Sequence, residues 1–209
     1  MFRLTGFEWP VVALTRNQAI HIAMIKEDPV GDCDDTLYYS RVQPWYTWST
    51  PIKVSPPMPD PYGPCQNIHA SKISNKVVIT RTQWEHNGNP FAFVDSAYYI
   101  LSNDGGITRE SPTLLSFPQA FQGISSAKQS CFIGSLYSMF DEFANVHIVV
   151  AFNPVLYDIL PVVLPAEICH YCPTNNPAWN LVKHADTDTF IAETVLTILG
   201  RVVLQLFNI

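Results

Sequence analysis

The same order of apolar and polar positions returns three times along the chain, over residues 9–54, 65–116 and 134–183. Each stretch opens with a short apolar segment and a polar turn, TRNQ (15–18), ISNK (73–76) and DEFAN (141–145). A strongly β-type run follows in each, AIHIAMI (19–25), KVVITRT (76–82) and VHIVVAF (146–152). After a loop of variable length comes a second such run, LYYSRV (37–42), AYYILS (97–102) and ICHYC (168–172). A short apolar segment closes the unit, TPIKV (50–54), PTLLS (112–116) and WNLV (179–182). Val, Ile, Tyr and Thr fill the runs while Pro and Asn mark the breaks, so each unit is expected to be a meander of four short antiparallel strands.

One such sheet cannot bury both of its faces, so the copies have to stack. The radial solution is a β-propeller with four-stranded blades, and a β-sandwich of the same strands is the alternative. The expected fold is therefore all-β, an incomplete propeller of about three blades over residues 1–185. The apolar stretch 186–209, with the β-type run GRVVLQLF, reads as the start of a fourth. An open three-blade stack exposes sheet faces and an edge, so the isolated chain is expected to be oligomeric or poorly soluble.

The hairpin after the second run of the middle unit is Ser102-Asn103-Asp104-Gly105-Gly106-Ile107-Thr108-Arg109. It resembles the Asp-box, S-x-D-x-G-x-x-W, of sialidases and other BNR-repeat propellers, with Arg109 in the aromatic slot. At the equivalent place the first unit keeps Trp48 and the third keeps Trp179, while the other slots differ. The chemistry of the motif is that of a turn: Asp104 can accept backbone N–H groups, and the Gly pair permits positive φ. Ser102, Asp104, Gly106 and Thr108 are accordingly read as fold devices. The resemblance implies that they lie on the rim opposite the substrate.

Function is then expected at the other rim, formed by loops 27–36, 85–95 and 154–167 and by links 55–64 and 117–133. In the first loop Asp32, Asp34 and Asp35, with Glu27 and Asp28, supply enough oxygen for a Ca²⁺ ion without matching EF-hand spacing, and a solvated acidic loop is the competing reading. In the second, Arg81, Trp84 and Glu85, joined by Arg41, are the candidates for contacting an acidic sugar, the guanidinium forking a carboxylate and the indole stacking on the ring. Ordinary strand-end residues are the plainer account of the same positions. Sialidases are similar in using a cluster of three arginines; of the six Arg here, Arg16 and Arg109 fall on the other rim, and too few remain to assemble it. Cys169-His170-Tyr171-Cys172 lacks two further ligands at matching spacing, so it does not read as a zinc site. His21 and His147 occupy equivalent places and are expected to be packed and hydrogen-bonded.

Composition narrows the partners. The 209 residues are 47% hydrophobic, 12% aromatic and only 14% charged, which excludes a solvated, coreless chain. Twelve basic against eighteen acidic residues, net charge −6 with no basic run, give no footprint for a phosphate backbone. Glu193 and Arg201 interrupt the C-terminal apolar stretch too early for a membrane span. The opening MFRLTGFEWPVVALT shows no secretory signal, and five irregularly spaced Cys leave the compartment open, although the resemblance implies a secreted or cell-surface protein. The expected function is a non-catalytic, ligand-binding or structural Asp-box module with carbohydrate as its ligand class. A sialidase-type glycoside hydrolase fragment is the alternative.

Overall fold

A computed structural model of the chain describes residues 6–26, 34–43, 47–54, 58–59, 66–84, 94–118, 127–156, 162–163, 167–174 and 176–184. Every regular element among them is a β-strand, and the strand pairs are antiparallel. The first unit comprises β1 (Glu8–Leu14), β2 (Ile20–Lys26) and β3 (Asp34–Gln43), with three short strands against β3: β4 (Thr47–Trp48), β5 (Ile52–Lys53) and β6 (Met58–Pro59). The second is β7 (Gln66–Ala70), β8 (Val77–Trp84), β9 (Val94–Ser102) and β10 (Thr113–Ser116). The third is β11 (Ala127–Phe140), β12 (Val146–Leu156), β14 (Glu167–Cys172) and β15 (Asn176–His184), with β13 (Val162–Val163) on β12.

Three details differ from the sequence expectation. The closing strand of the first unit is broken: TPIKV contributes only Ile52–Lys53, because Pro51 and the Pro56-Pro57 pair lack N–H groups to continue a ladder. The third unit starts earlier than residue 134, since Ala127–Cys131 already pair with Phe152–Leu156 before a register shift at Cys131/Leu136. The second and third meanders are also joined at one point, the Cys131–Val94 pair, rather than being fully separate sheets.

The sheets stack face to face, and strand alternation decides which residues meet. Ala13, Ala23, Ile25, Leu37 and Tyr39 of the first sheet form one core with Ile68, Ala70, Val77, Ile79, Tyr98 and Ile100 of the second. The opposite face of the second sheet, with Val78, Ala97 and Leu115, packs on Leu136, Val146, Ile148, Val150, Phe152 and Cys169 of the third. The leading strands gather together: β1 lies beside β7, and β7 beside β11. Gln66 Nε2 donates to the Trp9 carbonyl at 2.6 Å and Ser138 Oγ to Asn67 Oδ1 at 3.2 Å, which ties these neighbours by side-chain bonds. Trp9 takes φ 49° inside the β1 register shift and remains 60% exposed, a strained bulge on an edge strand.

The turns between first and second strands share one construction. Thr15, Ser71 and Asp141 each close the loop by donating a backbone N–H, to Ala19, Lys76 and Asn145 respectively. In the first and third units the last of the three loop residues is left-handed, Gln18 at φ 62° and Ala144 at φ 59°, as a three-residue hairpin loop requires. Ser71 Oγ accepts from the N–H groups of Ile73 and Ser74, and Asp141 Oδ1 from those of Phe143 and Asn145. These caps explain why a hydroxyl or carboxylate recurs at this place.

Candidate functional site

The densest polar constellation is the hairpin 102–109 and the surface that receives it. Ser102 Oγ accepts the Gly106 N–H at 2.8 Å and donates to Asp104 Oδ1 at 2.9 Å. Asp104 also accepts from the Ile107 N–H at 3.0 Å, from the Thr108 N–H at 2.9 and 3.0 Å, and from the Thr108 hydroxyl at 2.6 Å. The Thr108 side chain and backbone hold the Asp104 carboxyl down at a pKa of about 2. Gly105 and Gly106 carry φ 74° and 78°, the left-handed region that two successive residues enter cheaply only as glycine.

This turn is pressed onto the first sheet. A Cβ at Gly106 would sit 1.7 Å from Tyr39 Oη and 3.3 Å from His21 Nδ1, so the glycine is required by contact as well as by φ. Arg41 Nη1 donates to the Gly105 carbonyl at 3.1 Å, while the Gly105 N–H donates to the Asn75 carbonyl at 2.6 Å. Arg109, the last residue of the hairpin, lies over the Tyr39 ring with its guanidinium carbon 5.3 Å from the centroid. The crevice lined by Tyr39, Val77, Ile79, Ile100, Ser102, Gly106 and Arg109 has no room for a bound molecule.

Beneath the turn, His21 and Tyr39 share a hydrogen bond of 2.6 Å between Nδ1 and the hydroxyl, and His21 Nε2 lies 3.4 Å from Thr15 Oγ1. Burial, followed by the charge of Arg41, lowers the His21 pKa to about 4, and burial raises that of Tyr39 to about 12. Both groups are therefore neutral at pH 7, which suits a buried polar pair.

The third unit repeats the arrangement with other chemistry. His147 stands where His21 does, and His170 where Tyr39 does: Ala23 pairs with Tyr39, and Val149 with His170. His147 Nδ1 is 2.8 Å from His170 Nε2, and its Nε2 is 3.2 Å from Asp141 Oδ2, Asp141 being the counterpart of Thr15. In the middle unit the matching residues are Val78 and Tyr99, which pack in an apolar cluster instead. The aromatic slot behaves alike in the third unit: Trp179 packs on Phe117, Phe152 and Tyr171, and its Nε1 donates to the Ser116 carbonyl of the second unit at 2.9 Å.

The sequence candidates are placed differently from one another. Ser102, Asp104, Gly106 and Thr108 come together as one turn, on the same rim as the first-hairpin turn at Asn75. Arg41 reaches this turn through the Gly105 carbonyl. Arg81, 1% exposed, lies on the face of β8 that carries Val77 and Ile79 toward the first sheet, so its guanidinium is part of the interior. Trp84 ends β8, opposite Val94, and Glu85 lies outside the described residues. Asp34 and Asp35 open β3, opposite Pro59 and Met58, whereas Asp32 lies outside the described residues, as do most of the loops expected to carry function.

Cys169 and Cys172 are buried free thiols, and burial raises the Cys169 pKa to about 12. Cys172 Sγ lies 3.5 Å from Thr174 Oγ1, and a register shift separates it from Tyr171. Among the described residues no group of three or more His, Cys, Asp or Glu is placed to hold a metal ion, and no helix is long and apolar enough to cross a membrane. The polar pair formed by His21 and Tyr39 was only half visible in the sequence. His21 and His147 stand out as repeat positions, but their partners sit two register steps along the next strand. No protein-family model matches the chain, and no curated protein matches it.

Proposed function

We propose that this chain is a non-catalytic repeat scaffold of the Asp-box type, a three-bladed part of a propeller whose opposite-rim loops carry ligand contacts, with carbohydrate as the ligand class. One observation supports this most: the polar groups of the 102–109 hairpin are spent on the turn itself and on seating it against His21 and Tyr39. The two candidate arginines with described side chains are likewise engaged in the stack, Arg41 on a backbone carbonyl and Arg81 in the interior. A hydrolase would need a guanidinium and a pair of acid/base groups presented to one sugar ring.

The test is turnover of a fluorogenic sialoside by the full chain, run beside binding to a panel of sialylated and unsialylated glycans. The expected result is no turnover above buffer, with any saturable signal confined to binding. Turnover that Arg81→Lys abolishes, with the fold intact by circular dichroism, would overturn the scaffold reading in favour of the hydrolase.

A further inference from the structure

Asp104 is followed by Gly105, and an aspartyl-glycyl step is the one at which a side-chain carboxyl is most readily attacked by the next backbone nitrogen, because glycine puts no side chain in the way. In that reaction the Gly105 nitrogen bonds to the Asp104 carboxyl carbon, and the carboxyl hydroxyl leaves with the amide proton as water. The five-membered imide then takes back one water. Opening at one carbonyl restores aspartate, and opening at the other gives isoaspartate, whose main chain runs through the former side chain and is longer by one methylene. Water is the only co-reactant.

The folded hairpin holds both reacting groups apart. The Gly105 N–H donates to the Asn75 carbonyl of the neighbouring turn at 2.6 Å, which fixes its direction and retains its proton. The Asp104 carboxylate is engaged elsewhere: Oδ1 accepts from Ser102 Oγ and the Ile107 N–H, and both oxygens accept from Thr108. Ionisation adds to the restraint, since a carboxylate oxygen does not leave as water, and the Thr108 bonds keep the group charged down to about pH 2. Gly105 is buried, whereas Asn103, Ile107 and Thr108 are exposed.

We propose that Asp104-Gly105 is a modification site controlled by the fold, silent while the hairpin keeps its bonds and open to imide formation and isoaspartate once they are released. The control works in one direction. Isoaspartate shifts the carboxyl relative to the main chain, so the bonds to Ile107 and Thr108 cannot all be remade. The added methylene also displaces Gly106, which has no clearance for a further carbon against Tyr39. A chain modified while the hairpin is open therefore cannot seat it again on the first sheet. The proposal rests on the hairpin's hydrogen bonds, and not on the ligand class above.

The full chain is incubated at neutral pH, folded and in urea, and isoaspartate at position 104 is counted by peptide mapping with chromatographic separation of the isomers. Isomerisation is expected to be at least about 50-fold slower in the folded chain, because lowering the carboxyl pKa from 3.8 to about 2 by itself cuts the protonated fraction by about that factor. Thr108→Val removes the hydroxyl bond and is expected to accelerate the folded reaction several-fold while the near-ultraviolet spectrum is retained. Ser102→Ala offers the same readout should Thr108→Val disturb folding. Equal rates in the folded and unfolded chain would overturn the control by the fold, and absence of isoaspartate in urea would overturn the site itself. A folded rate that neither substitution changes would overturn the assignment to the hairpin's bonds.

Discussion

The pair His21–Tyr39 and the pair His147–His170 occupy the same register in two sheets and meet different surroundings. The first is sealed by a glycine-rich turn that reaches Tyr39 and His21, with Arg109 over the tyrosine ring. The second is a stacked pair of imidazoles, centroids 5.0 Å apart, held from one side by Asp141. Between them, Val78 and Tyr99 fill the same two positions without polar pairing. The repeat thus preserves a place in the sheet rather than a chemistry: whatever lies across the interface decides whether a hydroxyl, an imidazole or an alkyl group is tolerated.

The largest expected effect breaks the sealed pair. Gly106→Ala forces a Cβ into Tyr39 and should cost at least about 3 kcal/mol in urea unfolding, or prevent folding. Gly105→Ala meets no atom within 4 Å and should cost only the left-handed backbone penalty, about 1–2 kcal/mol. The gap between these two neighbours isolates the inter-sheet contact from the turn. Tyr39→Phe removes the nearest clashing atom, so the double variant with Gly106→Ala should be less destabilised than the sum of the singles.

Acid sharpens the same comparison. The His21 pKa is lower when folded than when unfolded, so the unfolded chain binds the proton first. Stability is complete above about pH 6.5 and declines as pH falls toward 4, by an amount on the order of 2–3 kcal/mol. Burial, with the charge of His147, lowers the pKa of His170 as well, so both pairs weaken in the acidic direction. His21→Leu should flatten part of this slope in pH-dependent urea melts. Asp104 acts in a lower window: its contribution is present above the ordinary carboxylate range and is lost as pH falls toward 2. Asp104→Asn should lower the melting temperature less than Gly106→Ala does, and should remove that last acid step.

The smallest effects lie in the first hairpins. Ala144 and Gln18 hold left-handed backbones that glycine adopts without penalty, so Ala144→Gly and Gln18→Gly should each stabilise the chain by up to about 1 kcal/mol in the same melts. Ala144 carries a further restraint, since its carbonyl accepts Lys76 Nζ of the second unit at 2.9 Å.

Much of the strand pattern was legible because β-branched and aromatic residues alternate where one sheet packs on another. The runs 19–25, 76–82 and 146–152 fall within two residues of β2, β8 and the start of β12. The opening of β11 was not legible: AKQSCFI has no clean alternation, and the segment is set by the extension of β12 through Asn153–Leu156. The 102–109 hairpin could be read as a turn from its residues alone, since the bonds Asp104 makes are within four positions in sequence. Its seat on Tyr39 could not, because that contact spans the first and second units and depends on how the sheets stack. Arg41 shows the same limit. Its place in the second β-type run of the first unit is plain in the sequence, but its bond to Gly105, 64 residues away, belongs to the tertiary fold.

The account turns on the middle sheet being held between two others, with its 102–109 turn against the first. Nuclear Overhauser spectroscopy on the full chain tests this most directly. Strong contacts are predicted between the Gly106 α-protons and the Tyr39 ring, together with methyl contacts linking Val78 to the Ile148–Val150 region. Absence of the Gly106–Tyr39 contact, with the hairpin's own Ser102–Gly106 contacts intact, would mean that the turn forms but does not dock, and the stacked arrangement would be wrong.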